Sequence, residues 1–526
     1  MKRVSLSVIL SLLAIFVLIG SAFAAANALP GSGWWSGEQI QNVGSSDATI
    51  DITAYDSASS ATFGLTDTIT PGAAKNYLPG AFAGMPSGFQ GSAIVSSNQD
   101  IRAIVNVTNR YNAGLGLGDS ATPHAAGAQY QGMNVPNTTI QFPLAKNNHF
   151  SKTTSFFIQN AGSVAAPATA TFKLPNGGVV TTYTYTTPAI GPGQMVVVTP
   201  NDARDAGSNP PPSGNGVIGS LTVTSSQLLA GTVLEHFTVE THATLLQSIR
   251  AATANDYDTK LYAPIIKNNY FGRFTGLQIQ NVSSGPVNIT VNYVGGDTQS
   301  GGVSCIGQTY TDTHNSLPPG ESWTFFAYAS TVTPAIPDKC LLAGTATATG
   351  NVIGETNEAF TTAYITANGV YQEATAYNTL PNNSATNFLS VPLYKEDSIS
   401  KTTAAVIQNV GTSDTNVVLT FKGVINGTPM TFISQPQLIH AGASVVFLNV
   451  RLKGPSFWNG TEMTPALLGC VNDVAGCGNN GIFGLVVKSD GQPIIAIAQE
   501  STYPISTPRV QQDKANYEGF NLLTAP

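Results

Sequence analysis

One tripeptide recurs at a spacing that dictates how the rest of the chain must be read. Ile-Gln-Asn occurs at residues 40–42, 158–160, 279–281 and 407–409, so successive glutamines lie 118, 121 and 128 residues apart. A period that long is a whole folding unit rather than one turn of a solenoid. The same events follow each copy. First comes a turn, then a run in which apolar and polar residues alternate: Ala48, Ile50, Ile52 and Ala54; Ala168, Ala170, Phe172 and Leu174; Val287, Ile289, Val291 and Tyr293; and, less cleanly, Val417, Leu419 and Phe421. Period two with one apolar face describes a half-buried strand. A turn at Pro71-Gly72, Pro192-Gly193, Pro319-Gly320 or the degraded Ala441-Gly442 leads into another apolar run. A glycine at Gly91, Gly219, Gly344 or Gly484 then opens a further strand. Short strands at this spacing, separated by Gly, Pro and Asn turns, predict an all-β sandwich in each copy.

The copies are framed by two further marks. An apolar-Pro step at Pro143, Pro264 and Pro392 precedes the glutamine by 16 residues each time, and a tail element centres on Tyr130, Tyr257, Tyr377 and Tyr517. The predicted units are therefore residues 25–130, 139–257, 259–378 and 388–517, with a C-terminal tail at 518–526. The order of Pro-apolar-x-Lys-Asn-Asn, Ile-Gln-Asn-x-Gly, Pro-Gly turn, Gly-Ser strand and closing Tyr resembles tandem immunoglobulin-like repeats of secreted bacterial surface proteins. That resemblance implies four tandem immunoglobulin-like β-sandwich domains, which, joined by short Tyr- and Asn-rich linkers, are expected to form a rod or curved array. Such modules serve as stalks, coats and adhesive arrays, so it implies an architecture and no single role.

Residues 1–24 read as a cleaved signal peptide. Lys2 and Arg3 precede a short apolar run, and Ala22-Phe23-Ala24 fits a small-x-small cleavage site. The run is short for a membrane span, no cysteine follows it for a lipid anchor, and no other long apolar stretch occurs. The expected location is secreted, extracellular or cell-surface associated, with no membrane insertion of the mature chain. Without Lys2 and Arg3 the charge is −9, from 20 basic against 29 acidic residues. With no basic run, nucleic acid is not an expected partner.

Export permits disulfides. Of the three ways to pair Cys305, Cys340, Cys470 and Cys477, the repeat map selects Cys305–Cys340 in the third copy and Cys470–Cys477 in the fourth. A zinc site is the weaker alternative, since neither a CxxC spacing nor a nearby His pair accompanies the cysteines. The repeated Asn is expected to cap a turn through its side chain. A basic residue seven before the glutamine (Lys152, Arg273, Lys401) is expected to face solvent, and Trp34 replaces it in the first copy. Trp34 and Trp35 are the candidate binding aromatics, with Trp323 and Trp458 as their companions in any cleft. Glu235, Glu358 and Glu500 recur on the last strand and are expected to hydrogen-bond loops. His236, Glu240 and His242 alternate along one strand and would need outside help to hold a metal, so neither metal nor cofactor is expected. Neither His-Glu-x-x-His nor Gly-x-Ser-x-Gly occurs, and four copies of one module leave no separate catalytic domain. The expected function is a non-enzymatic structural or self-associating component of the cell surface or of an extracellular filament, partnered by itself, by other surface proteins or by polysaccharide. The alternative is a carbohydrate-binding or cell-binding adhesin. The first copy lacks the apolar-Pro opening, whereas Leu522, Leu523, Ala525 and Pro526 resemble one. These residues are the candidate donor strand for head-to-tail assembly.

Overall fold

The computed structural model describes residues 18–20, 29, 34–110, 125–213, 216–237, 246–296, 305–360, 374–396, 401–425, 428–448, 457–460, 481–502 and 514–521. Its elements are antiparallel strands joined by turns and one-turn 3-10 segments. Ile-Gln-Asn ends a nine-residue strand in every copy: Trp34–Asn42, Lys152–Asn160, Arg273–Asn281 and Lys401–Asn409. On one side this signature strand pairs with the short strand after the Pro-Gly turn. On the other it pairs with the last long strand, in one constant register that sets Asn42, Asn160, Asn281 and Asn409 opposite Ile101, Leu229, Val352 and Ile494.

The alternating runs form a second layer, at Ala48–Asp56, Ala168–Asn176, Val287–Gly295 and Thr415–Ile425. Ala54, Phe172, Tyr293 and Phe421 each lie thirteen residues beyond the signature Gln and pair with Ala93, Leu221, Gly344 and Leu485, which are therefore equivalent. Inward residues of both layers meet in a core in every copy, as apolar faces of two sheets must. In the second and third copies a single 21-residue strand, Val217–Phe237 or Cys340–Phe360, runs through both layers. The first and fourth copies break it into Gly91–Ser97 with Ile101–Arg110, and Gly481–Ser489 with Ile494–Thr502.

The apolar-Pro stretches become opening strands, Asn137–Asn147, Asp258–Asn268 and Phe388–Glu396. Each covers one edge of the second layer, with Phe142 opposite Leu221, Ala263 opposite Gly344 and Val391 opposite Leu485. Among the described residues the first copy has no such strand after the leader. There the segment Leu18–Gly20 takes the place, with Gly20 opposite Ala93 and Leu18 opposite Val95.

Tail strands close the copies at Ala125–Gln131, Leu246–Arg250, Ala374–Asn378 and Lys514–Glu518. Tyr130, Tyr377 and Tyr517 sit in them at one register position, opposite Val105, Thr356 and Ala498. In the second copy that position belongs to Ile249, opposite Val233. Tyr257 follows a 3-10 turn instead, and its hydroxyl meets the Gln141 amide at 2.6 Å. The tail strands contact one another in sequence, first with second, second with third and third with fourth, and the fourth then contacts the first. The four copies thus form a closed cycle rather than a rod or open curve, as tandem order alone would suggest.

Candidate functional site

The recurring polar residues converge on the joints between copies. The signature asparagines cap turns, as their sequence context predicts. Each Oδ1 accepts the amide two residues on, from Gly44, Gly162, Ser283 and Gly411, at 2.8–3.0 Å. Each Nδ2 donates to the carbonyl four residues on and to one across the turn, at Ile69, Ile190, Leu317 or Ile439. The signature glutamines reach across instead. Gln41, Gln159, Gln280 and Gln408 donate to the carbonyls of Gly72, Gly193, Gly320 and Gly442, which hold the Pro-Gly turns at φ of 74–77°.

Those turns receive the preceding copy. Ser92 of the first copy donates to the Gly193 carbonyl of the second, and Ser220 of the second donates to Gly320 of the third, both at 2.6 Å. Gly193 also lies on the ring of Tyr55, so that a Cβ there would come within 2.4 Å of it. Ser92 and Ser220 each precede the equivalent residues named above, and the fourth copy has Gly484 at that place. A Cβ on Gly484 would lie 3.3 Å from Nε2 of Gln41 in the first copy. Ser390 of the fourth copy approaches the Gln41 amide oxygen at 3.5 Å, and Ile104 of the first is buried in the fourth copy's core. The cycle therefore closes with the same register that joins its other members.

The second, third and fourth copies carry a further, buried layer of chemistry. Lys146, Lys267 and Lys395 stand three residues beyond the opening proline and pair with Glu235, Glu358 and Glu500 at 2.7, 2.8 and 2.7 Å. The following copy completes two of these pairs. Asn357 donates to Glu235 at 2.9 Å, and Gln499 donates to Glu358 at 3.5 Å. Burial alone would raise the Glu235 carboxyl, but the Lys146 and Lys152 charges and the hydrogen bonds to it hold it below the usual carboxylate range. Burial pulls Lys152 down to about 8. Burial, reinforced by the neighbouring Glu235, raises Glu355 well above its ordinary value.

These contacts revise two expectations. Lys152 and Arg273 do not face solvent: Arg273 Nε lies 3.5 Å from Glu358, and its side chain is 17% exposed. The recurrent glutamates bond the opening-strand lysines of their own copies, not loops. The first joint replaces the whole set at once. Trp34 stands where the others have Lys152, Arg273 and Lys401, Val107 stands for the glutamate, and Leu234 of the second copy stands for Asn357 and Gln499. All three belong to or pack on one apolar cluster. Trp34 is thus an apolar member of a joint. The sequence signal was the joint loss of the lysine and the glutamate from a single copy.

The aromatic candidates are not brought together. Trp34 and Trp35 are half-buried at the start of their strand. Trp323 is 47% exposed and stacks on His314 in the third copy, whereas Trp458 is buried among Phe421, Phe432 and Phe457 in the fourth. Cys305 and Cys340 form the expected disulfide. Cys470, Cys477, Lys401's side chain, Glu240, His242 and the tail residues Leu522, Leu523, Ala525 and Pro526 lie outside the described residues. His236 meets the Ser155 hydroxyl at 3.0 Å, and no group of three metal-binding side chains occurs among the described residues. No helix among them is long and apolar enough to cross a membrane.

Sequence reasoning passed over Glu38. It lies two residues before Ile40, on the core face, where the other copies have Phe156, Leu277 and Ala405. It is 4% exposed, its Oε1 has no hydrogen-bond partner among the described residues, and burial raises its carboxyl to about 7. A charged residue in an otherwise apolar column was the available signal. No protein-family model matches this chain, and no curated protein sequence matches it.

Proposed function

We propose that this protein is a non-enzymatic structural component of the cell surface or of an extracellular filament, exported after loss of residues 1–24 and built from immunoglobulin-like sandwiches. The observation that carries the reading is where the recurrent polar residues go. The Gln, Asn, Lys and Glu that repeat from copy to copy bond turns and neighbouring copies, and a chain that invests its repeated chemistry in joints is suited to bearing load or to assembling. Self-association would use the Gly91–Ser97 edge of the first copy, which Leu18–Gly20 of the removed leader covers in this structure. Sedimentation and electron microscopy of the chain lacking residues 1–24 test this. Polymers that grow with concentration are expected, and a monomer at high concentration overturns the reading. The adhesin alternative is favoured by one feature, the aromatic cluster of the third copy in which Tyr328, 55% exposed, stacks on Phe326 and meets Phe274 edge-on. Retention on a glycan panel, lost in Tyr328→Ala, would establish it.

A further inference from the structure

The edge of Gly91–Ser97 is covered in this structure by a segment that the export reading removes. Leu18–Gly20 occupies that edge in the register the opening strands use elsewhere, so Leu18 and Gly20 correspond to Ile140 and Phe142, to Leu261 and Ala263, and to Leu389 and Val391. Those six residues are all buried in their cores, at 0–1% exposure. With the leader gone, no strand among the described residues pairs with this side of Gly91–Ser97, the condition that a foreign strand relieves.

The floor of the slot specifies its occupant. In the second copy Phe142 of the opening strand packs on Phe156, ring centroids 4.9 Å apart. Glu38 takes the place of Phe156 in the first copy, so a bulky apolar residue there would bury a carboxyl against a ring. A small residue leaves it room, and Gly20 is such a residue. The opening strands read Ile140-Gln-Phe-Pro, Leu261-Tyr-Ala-Pro and Leu389-Ser-Val-Pro, and the tail reads Leu523-Thr-Ala-Pro. The tail therefore offers Leu523 and Ala525 at the two inward positions, with the small residue over Glu38.

Chain length decides which molecule supplies the strand. Leu380 and Phe520 hold one register position, each opposite the residue after the opening leucine, and the Ala252 bridge to Gln141 is its counterpart. From Ala252 to Leu261 and from Leu380 to Leu389 is nine residues, but from Phe520 to Leu523 is three. Three residues span at most roughly 10 Å, and Phe520–Asn521 is already paired within the fourth copy. A second molecule is free of that restraint. We propose, resting on the self-association reading above, that after leader removal the Gly91–Ser97 edge accepts Leu523–Pro526 of a second copy of this chain, antiparallel, with Ala525 opposite Ala93 and Leu523 opposite Val95. Such a contact is heterologous and propagates into a filament. The leader segment, while attached, occludes the slot and keeps the chain monomeric.

A fluorescent peptide of residues 518–526 provides the test, titrated onto the full chain truncated at residue 521 and lacking residues 1–24. Saturable binding is expected. At least tenfold weaker binding is expected for the peptide carrying Ala525→Trp, and none for a protein that retains residues 1–24. In the otherwise intact mature chain, Ile94→Cys with Thr524→Cys should give, on oxidation, a ladder of interchain dimers and higher species. A disulfide confined to monomers, no disulfide at all, or peptide binding indifferent to Ala525→Trp overturns the proposal. If the chain polymerises equally well without residues 522–526, the self-association reading stands and strand acceptance by this edge fails.

Discussion

At the residue scale, a single buried position can be filled in two chemically opposite ways. The second joint uses Lys146, Lys152, Glu235 and Asn357, whereas the first uses Trp34, Val107 and Leu234. A buried ion pair gains little over well-packed apolar residues, yet losing one partner is costly. Lys146→Met should therefore destabilise the protein by about 3 kcal/mol. Adding Lys152→Trp, Glu235→Val and Asn357→Leu should restore most of the loss, as chemical denaturation will show. Equal damage from the single and the fourfold variants would contradict this account. Glu38 gives a pH signature. Between about 4.5 and about 7 the folded chain keeps a proton that the unfolded chain releases, so stability falls as pH rises across that window. The loss attributable to this group is ~3 kcal/mol. Glu38→Gln should remove that part of the slope, measured as the difference between the two proteins' melting curves from pH 4 to 8.

At the element scale, strands are placed by what they cover. The opening strands exist because an edge above a core must be closed, and the first copy shows the same edge closed by a different stretch of chain. The third copy adds a covalent tie. Cys305 and Cys340 are both fully buried, lie 35 residues apart in sequence, and anchor a loop to the start of the long strand Cys340–Phe360. Closing a loop of that size in the unfolded chain contributes roughly 3–4 kcal/mol. Cys305→Ser with Cys340→Ser should lower stability by that order, and the reduced wild type should behave alike. An unchanged denaturation midpoint in the double variant would remove the disulfide from any account of this copy's stability.

At the scale of the whole molecule, the cycle means that no copy is terminal in space. An internal copy in an open array has two neighbours and an end copy has one. Here the first and fourth copies also share Gln41, Gly484, Ser390 and the contact of Lys514–Glu518 with Ala125–Gln131. Each joint adds buried surface, so breaking any one should loosen its neighbours. A chain carrying Gln41→Cys and Gly484→Cys, treated with a short thiol-specific crosslinker, should form that link within one molecule at high dilution. Mass spectrometry of the joined peptides reads the result. Failure to link, alongside efficient linking across the Ser220–Gly320 joint, would open the cycle.

The repeat period, the alternation of apolar residues and the turn glycines determined the all-β class, the number of sequence copies and the place of each signature strand, because strand formation depends on local pattern and on one buried face. The Cys305–Cys340 pairing followed from that map as well. The sequence could not reveal which outward residues would be buried. Lys152 and Arg273 look like solvated strand positions until the packed fold buries them beside Glu235 and Glu358, and Glu38 looks ordinary until its column is seen to face the core. Nor could tandem order distinguish a rod from a cycle, since that depends on the angle between successive copies. The joints of Gln41, Gly193, Gly320 and Gly484 set that angle, and they bring together residues a hundred or more apart, whose proximity no local pattern encodes.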